Sequence, residues 1–186
     1  MDNTSEIIEK MSSGDDSAFE DLVREYEKKI YNLCLRMTGN PDDAFDLSQE
    51  TFVKAYRALS AFKMESAVST WLYRIASNTC LDFIRKRNRV IFFTLSQSRD
   101  DEEEIFAEIP DNSYNPEKVF ESAQIREAVA AALLGLPPKH RQIVVLREIN
   151  GLSYAEISEI LEISEGTVKS RLARAREHLR RELGNV

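Results

Sequence analysis

Glycine and proline are scarce, six and five in 186 residues. That scarcity argues against a turn-rich β architecture, whose reversals draw on residues with positive or fixed φ. Cysteine is nearly absent too. Cys34 and Cys80 each fall in an apolar, helix-like stretch, and with only His140 and His178 beside them they form no zinc-ligand spacing. Neither metal nor cofactor is expected, and the thiols read as free and buried. No stretch approaches the roughly 18 uncharged residues of a membrane-spanning helix. Met1 to Lys10 mixes Asp2, Glu6 and Glu9 with few apolar residues, unlike a secretory leader. A cytoplasmic location is expected.

Hydrophobic residues make up 42% of the chain and charged residues 31%, the balance of a soluble protein with a real core. Abundant Ala, Leu, Ile, Glu and Arg favour an all-α fold. The length allows one large domain or two small ones. A formal charge of -7 looks unsuited to binding DNA until it is divided along the chain. Residues 1–90 carry 13 Lys/Arg against 15 Asp/Glu, residues 91–116 carry 1 against 7, and residues 117–186 carry 11 against 10. The middle segment holds most of the excess. Within the last part, Lys169 to Arg181 has six basic residues against the single Glu177, a local footprint for phosphate.

These divisions suggest two helical domains, 1–90 and 117–186, joined by an acidic linker over 91–116. In the first domain, Phe19, Leu22, Val23, Tyr26, Ile30, Leu33, Cys34 and Met37 recur at helical spacing. Gly39-Asn40-Pro41 ends that helix, and Asp42 or Asp43 is placed to cap the next. Ala44, Leu47, Thr51, Phe52, Ala55, Tyr56 and Leu59 form its apolar stripe. A third helix is expected to start at Ser69, run through Trp71, Leu72, Ile75, Ala76 and Phe83, and break down near Val90. Arg74, Asn78 and Arg85 share its polar face. As a flexible coil, the linker has a reach of roughly 28 Å, or roughly 86 Å if pulled straight. That separation would allow contact with two DNA sites more than one turn of about 34–36 Å apart.

In the second domain the helical pattern runs through Val119, Phe120, Ile125, Val129 and Leu133, and stops at Gly135-Leu136-Pro137-Pro138. It resumes through Ile143, Val144, Leu146 and Ile149 and ends at Asn150-Gly151. The stretch from Leu152 to Arg171 then has the build of a helix-turn-helix. Ser153 caps its first helix, and Glu156 completes a capping box. Ser164 and Thr167 start the second, with Val168, Leu172, Ala175 and Leu179 facing inward. The opposite face is Gly166, Ser170, Ala173 and Arg174, flanked by Lys169 and Arg180. Small side chains let a helix enter the major groove, while Arg reads guanine bidentately and Lys meets phosphate.

The segment "LPPKHRQIVVLREINGLSYAEISEILEISEGTVKSRLARARE" resembles region 4 of the extracytoplasmic-function group of bacterial sigma factors, in the sigma-70 family. Independently, "GDDSAFEDLVREY", "DDAFDLSQETFVKAYRAL" and "FKMESAVSTWLYRIASNTCLDFIRKR" resemble sigma region 2, in the right order. Nothing resembles region 3, whose place is taken by the acidic linker, as in the minimal members of the family. The resemblance implies a promoter-specificity subunit of RNA polymerase without catalytic activity of its own. Its implied partners are core RNA polymerase, through the largest-subunit clamp helices and the flap, promoter DNA, and an anti-sigma factor, often membrane-tethered.

Carried over by position, the resemblance makes Asp46, Gln49, Glu50, Phe52 and Lys54 contacts to the polymerase. Phe62, Lys63 and Met64 on the following loop, with Arg74 and Asn78, correspond to the part that opens the -10 element and holds an extruded base. Arg85, Lys86 and Arg87 suit phosphate attraction. Trp71 reads as core rather than as a stacking platform. Arg147, Ser164, Gly166, Thr167, Lys169, Ser170, Ala173, Arg174 and Arg176 correspond to the -35 surface, although periodicity turns Arg176 toward the packing side. Three residues depart from the family pattern. Met64 replaces a commonly small residue, Phe45 an acidic one and Ser48 an apolar one.

Two other readings compete. A stand-alone regulator that binds an operator through its helix-turn-helix leaves residues 1–90 unexplained. A small hydrolase would need carboxylates such as Asp42, Asp43, Asp46 and Glu50, but acids at helix starts serve the helix dipole. No nucleophile–base pair, phosphate-binding glycine loop or metal-ligand set accompanies them.

Overall fold

The computed structural model describes residues 16–59, 62, 67–97 and 118–184, and all regular structure among them is helical. The first body consists of α1 (Asp16–Thr38), α2 (Pro41–Ala58) and α3 (Val68–Gln97), each packed on the other two. The stripe read from α1 supplies the core, with Leu22, Tyr26, Ile30, Leu33, Cys34 and Met37 all buried. Fully burying each large aliphatic side chain contributes about 1.5–3 kcal/mol. Cys34 and Cys80 meet across α1 and α3 with their sulfurs 3.6 Å apart, both free and buried. The Cys34 contact, together with burial, pushes the Cys80 thiol up.

The turn between α1 and α2 depends on two neighbouring residues. Gly39 adopts φ 74 and donates its N–H to the Leu35 carbonyl at 2.8 Å. Asn40, not Asp42 or Asp43, is the N-cap of α2, its Oδ1 accepting from the N–H groups of Asp42 and Asp43 at 2.9 and 3.0 Å. The reason is Pro41, which holds the residue before it extended at φ -121, ψ 127, the conformation an N-cap requires. The two aspartates occupy the first turn instead, where they complement the helix dipole.

Helix α3 differs from expectation at both ends. It begins at Val68, so Ser69 lies inside the first turn, and the Ala67 carbonyl accepts the Trp71 N–H at 3.1 Å. An earlier start lets Val68 be buried one turn below Leu72. At the other end the helix passes the break expected near Val90 and reaches Gln97. Residues 90–97 contain neither glycine nor proline, so nothing stops propagation. The remainder of the expected linker, residues 98–116, lies outside the described residues.

The second body comprises α4 (Lys118–Gly135), α5 (Pro138–Val144), α6 (Tyr154–Leu161) and α7 (Glu165–Leu183). Helix α5 widens into a π turn at Val145–Ile149, and the Asn150 N–H reaches back to the Val145 carbonyl at 3.0 Å. Among the described side chains of α4, Ala132 and Leu133 are buried, with Leu136 just beyond its end, whereas Ile125 and Val129 are exposed. Those two apolar positions do not face the core, because α4 is apolar on most of its faces and buries only some of them.

The two bodies are docked. Helix α3 packs on α6, and α1 packs on α4, α5 and the π turn, giving one continuous core. Arg141, 8% exposed, sits at this junction. It donates Nη1 to the Met37 carbonyl, at the end of α1, and Nη2 to the Leu134 and Leu136 carbonyls, at the end of α4. Helix C-termini carry partial negative charge, so two of them from different bodies share one buried cation. Arg141→Ala would strand these carbonyls and should lower unfolding free energy by about 3–5 kcal/mol in urea titration, with Arg141→Lys intermediate. Gly39→Ala should cost about 1–2 kcal/mol, since φ is positive and a Cβ would stand 2.5 Å from Leu134 Cδ1.

Candidate nucleic-acid interface

The helix-turn-helix formed by α6 and α7 is locked by its own short polar contacts. Ser153 caps α6 with a complete capping box: its Oγ accepts the Glu156 N–H at 3.2 Å, and its N–H donates to Glu156 Oε2 at 2.7 Å. Glu162, with φ 53, ends the helix, and Ser164 caps α7 by accepting the Thr167 N–H at 3.2 Å. Ser164 and Thr167 also bond to each other through their hydroxyls at 2.9 Å, so both serve the cap.

Val168, Leu172 and Ala175 are buried, which fixes the rotation of α7 about its axis. Gly166, Lys169, Ser170, Ala173 and Arg174 are therefore exposed together on the opposite side. Arg147 and Lys169 converge on the Tyr154 ring, 4.8 and 5.6 Å from its centroid, and place two cations at the start of α6. The Arg147 guanidinium also donates to the Leu152 carbonyl at 2.7 Å. Arg176 is exposed rather than turned inward. It donates through Nη2 and Nε to Glu148 on the π turn, at 2.6 and 3.1 Å.

The second group of candidates lies along α3. Phe62 is half-buried against Trp71, ring centroids 4.8 Å apart and tilted by 42°, and both rings pack against the core, in keeping with the core reading of Trp71. Lys63 and Met64 lie outside the described residues. Asn78 is exposed. Arg74 is not free: its Nη2 reaches the Glu159 carbonyl at 3.1 Å, and its guanidinium faces the Glu159 and Glu162 carboxylates, each at 3.7 Å. Further along, Arg85 pairs with Asp82 at 3.2 Å and Arg87 with Asp43 at 3.4 Å, both near the surface. Lys86 lines a cleft of about 360 Å³ between α2 and α3, beside Glu50, Lys54, Thr79, Phe83 and Arg89.

On α2, Asp46, Gln49 and Glu50 are exposed as a group. Phe52 is half-buried against the core. Lys54 turns sideways to bond Thr79 Oγ1 at 3.1 Å and Glu50 at 2.8 Å, tying α2 to α3. Three apolar neighbours stand out from the surface: Phe45, Val53 and Tyr56 are 55%, 48% and 50% exposed, and at helical spacing they share a face with Gln49. Tyr56, expected in the core stripe, is half exposed and meets Phe19 edge-on at 5.1 Å. A helical wheel anticipates such positions for Phe45 and Val53, since both fall outside the buried arc of Ala44, Leu47, Thr51 and Ala55.

Fold and site together define a two-body helical DNA-binding protein with a helix-turn-helix in its second body. Residues 22–90 match Sigma-70 region 2, and residues 126–179 match Sigma-70, region 4. The chain is 39% identical over 179 residues to the ECF RNA polymerase sigma factor SigW of Bacillus subtilis (strain 168), covering 96% of each sequence. Among solved structures it is similar to CnrH in complex with the cytosolic domain of CnrY, with TM-score 0.72, 25% identity and 99% of each chain covered. It is also similar to the sigma factor RpoE in complex with the anti-sigma factor NepR from Bartonella quintana, with TM-score 0.68, 26% identity and 89% and 96% of the two chains covered. The protein belongs to the extracytoplasmic-function RNA polymerase sigma factors.

The capping box makes stability depend on pH. Hydrogen bonds from Ser153 hold the Glu156 carboxyl below its usual range. A depressed carboxyl contributes stability above its unfolded-state value and loses it as pH falls through the folded one. Glu156→Ala should therefore cost about 0.5–1 kcal/mol at neutral pH, a small effect because the group is solvent-screened, and less near pH 3, as read by urea titration.

Proposed function

We propose that α7 reads the -35 element in the major groove, while α3 and the Phe62 loop open and hold the -10 element. The exposed face of α2 would grip the clamp helices of core polymerase, and nucleotide polymerisation would belong to that core enzyme. The observation that carries this reading is the face of α7. Gly166, Ser170 and Ala173 allow close approach, Arg174 and Lys169 supply donors, and the buried row on the far side leaves α7 one orientation.

The second surface suits strand opening for a different reason. Separating a duplex requires replacement of lost stacking, and an aromatic platform supplies about 1–3 kcal/mol per stacked base. Phe62 against Trp71 offers such a platform, Asn78 offers an amide for a base edge, and Arg85, Lys86 and Arg87 attract the phosphates. The exposed apolar strip of Phe45, Val53 and Tyr56 beside Gln49 fits a rigid helical partner better than solvent does. An anti-sigma factor is also inferred as a partner, in keeping with the similar sigma factor RpoE solved in complex with one.

Reconstituted transcription with core polymerase on a promoter library tests the assignment. Asn78→Ala should alter the use of -10 sequences and leave -35 preference intact. Arg174→Ala should do the converse, weakening selection at one or two -35 positions by about 1–3 kcal/mol. Unchanged profiles in both variants would defeat the reading. Lys86→Ala should weaken binding to all promoters alike and reduce the salt slope by about one.

A further inference from the structure

We propose that Cys34 and Cys80 are an oxidation site, a buried dithiol that a hydroperoxide converts to an internal disulfide, stapling α1 to α3. The two sulfurs lie 3.6 Å apart, with the Cys80 S–H donated to the Cys34 sulfur. A disulfide sets its sulfurs at about 2.05 Å, so closing the bond asks for an approach of roughly 1.5 Å, within reach of χ1 rotation and a small shift of α3. Ala76, one turn before Cys80, is fully buried, and its small side chain lets α3 lie close to its neighbours. As small apolar fillers, two cysteines could lie anywhere in the core. Placed against each other from positions 46 residues apart, they have the arrangement of an attacking and a resolving thiol. Nothing else competes for either of them. The chain has two cysteines, and both side chains are 0% exposed, which excludes bonds between folded chains.

Hydrogen peroxide is the one co-reactant the chemistry needs. The thiolate is the attacking species, and the S–H that Cys80 donates steadies it on Cys34. Cys34 Sγ attacks one peroxide oxygen, the O–O bond breaks, and the departing hydroxide takes the proton that Cys34 gave up and leaves as water. Cys80 Sγ then attacks Cys34 Sγ: the S–O bond of the sulfenic acid breaks, the S–S bond forms, and the second hydroxide accepts the Cys80 proton. Two thiols are oxidised to one disulfide, and one peroxide is reduced to two waters. The contact with Cys34, together with burial, pushes the Cys80 thiol up and keeps the reaction slow, confined to brief openings of the core. The closed loop runs from Cys34 to Cys80 and so contains all of α2, with Phe62, Arg74 and Asn78. Thr79, beside Cys80, is bonded to Lys54 of α2 at 3.1 Å, so the staple acts on all three helices of the first body. A cross-link that closes such a loop stabilises the fold by restricting the unfolded chain.

The test exposes the full chain to millimolar hydrogen peroxide in native buffer and then reads intact mass, free thiols and urea unfolding. The expected product is a chain lighter by two hydrogens, without free thiols, whose digest holds one cross-linked peptide pair containing Cys34 and Cys80. Dithiothreitol should restore the starting mass. The urea midpoint of the oxidised chain should rise, its unfolding constant in water falling by about 30- to 1000-fold relative to the reduced chain. Cys80→Ala, which lacks the resolving thiol, should show neither the loss of two hydrogens nor the rise in midpoint. Persistence of both free thiols overturns the proposal, as does a bond that forms only after urea has unfolded the chain. An oxidised chain that unfolds at lower urea than the reduced one also overturns it, because the bond would then strain the fold, and so does a midpoint rise that persists in Cys80→Ala. Should Cys80→Ala fail to fold, the mass, peptide map and midpoint of the parent decide alone.

Discussion

A single buried guanidinium sets the arrangement on which the molecule depends. Arg141 has no carboxylate partner among the described residues, and burial lowers its pKa, yet it is held by the carbonyl ends of α1 and α4. The arrangement is economical, because helix ends leave carbonyls that need donors and a planar guanidinium supplies several in fixed directions. With α1 and α4 ending at the same cation, α5 and the π turn must lie against α1. That placement brings α6 over the start of α3 and puts Glu159 and Glu162 beside Arg74.

Each body otherwise solves its own problem. In the second, α7 must present one face outward without rotating, and the buried row of Val168, Leu172 and Ala175 provides that. The caps at Ser153 and Ser164 fix where α6 and α7 start, and the Arg176–Glu148 contact ties α7 back to the π turn. In the first, one continuous helix carries the Phe62–Trp71 pair at its start and the basic cluster two to three turns past Asn78. The aromatic pair and the basic cluster are thereby aligned with one rigid rod.

Much of this was legible because it is local. Helical spacing gave the α1 stripe and the inward row of α7, and the Ser153–Glu156 pair announced its capping box. The misplaced details are also physical. The N-cap of α2 went to Asn40 because Pro41 fixes the preceding residue, and α3 started at Val68 because burial outweighed the capping preference of Ser69. Arg176 was assigned inward because a wheel counts angles and cannot see a carboxylate on a π turn. Ile125 and Val129 looked like core because α4 is apolar on several faces and its sequence does not say which one is covered.

By itself the sequence determined the helices, the two-part plan and the outward face of α7, since each follows from intervals of three and four residues along the chain. Tertiary structure alone decided what Arg141, Arg74, Glu159 and Glu162 do. Their partners lie as far as 104 residues away, and no local period encodes a contact made only when two bodies dock.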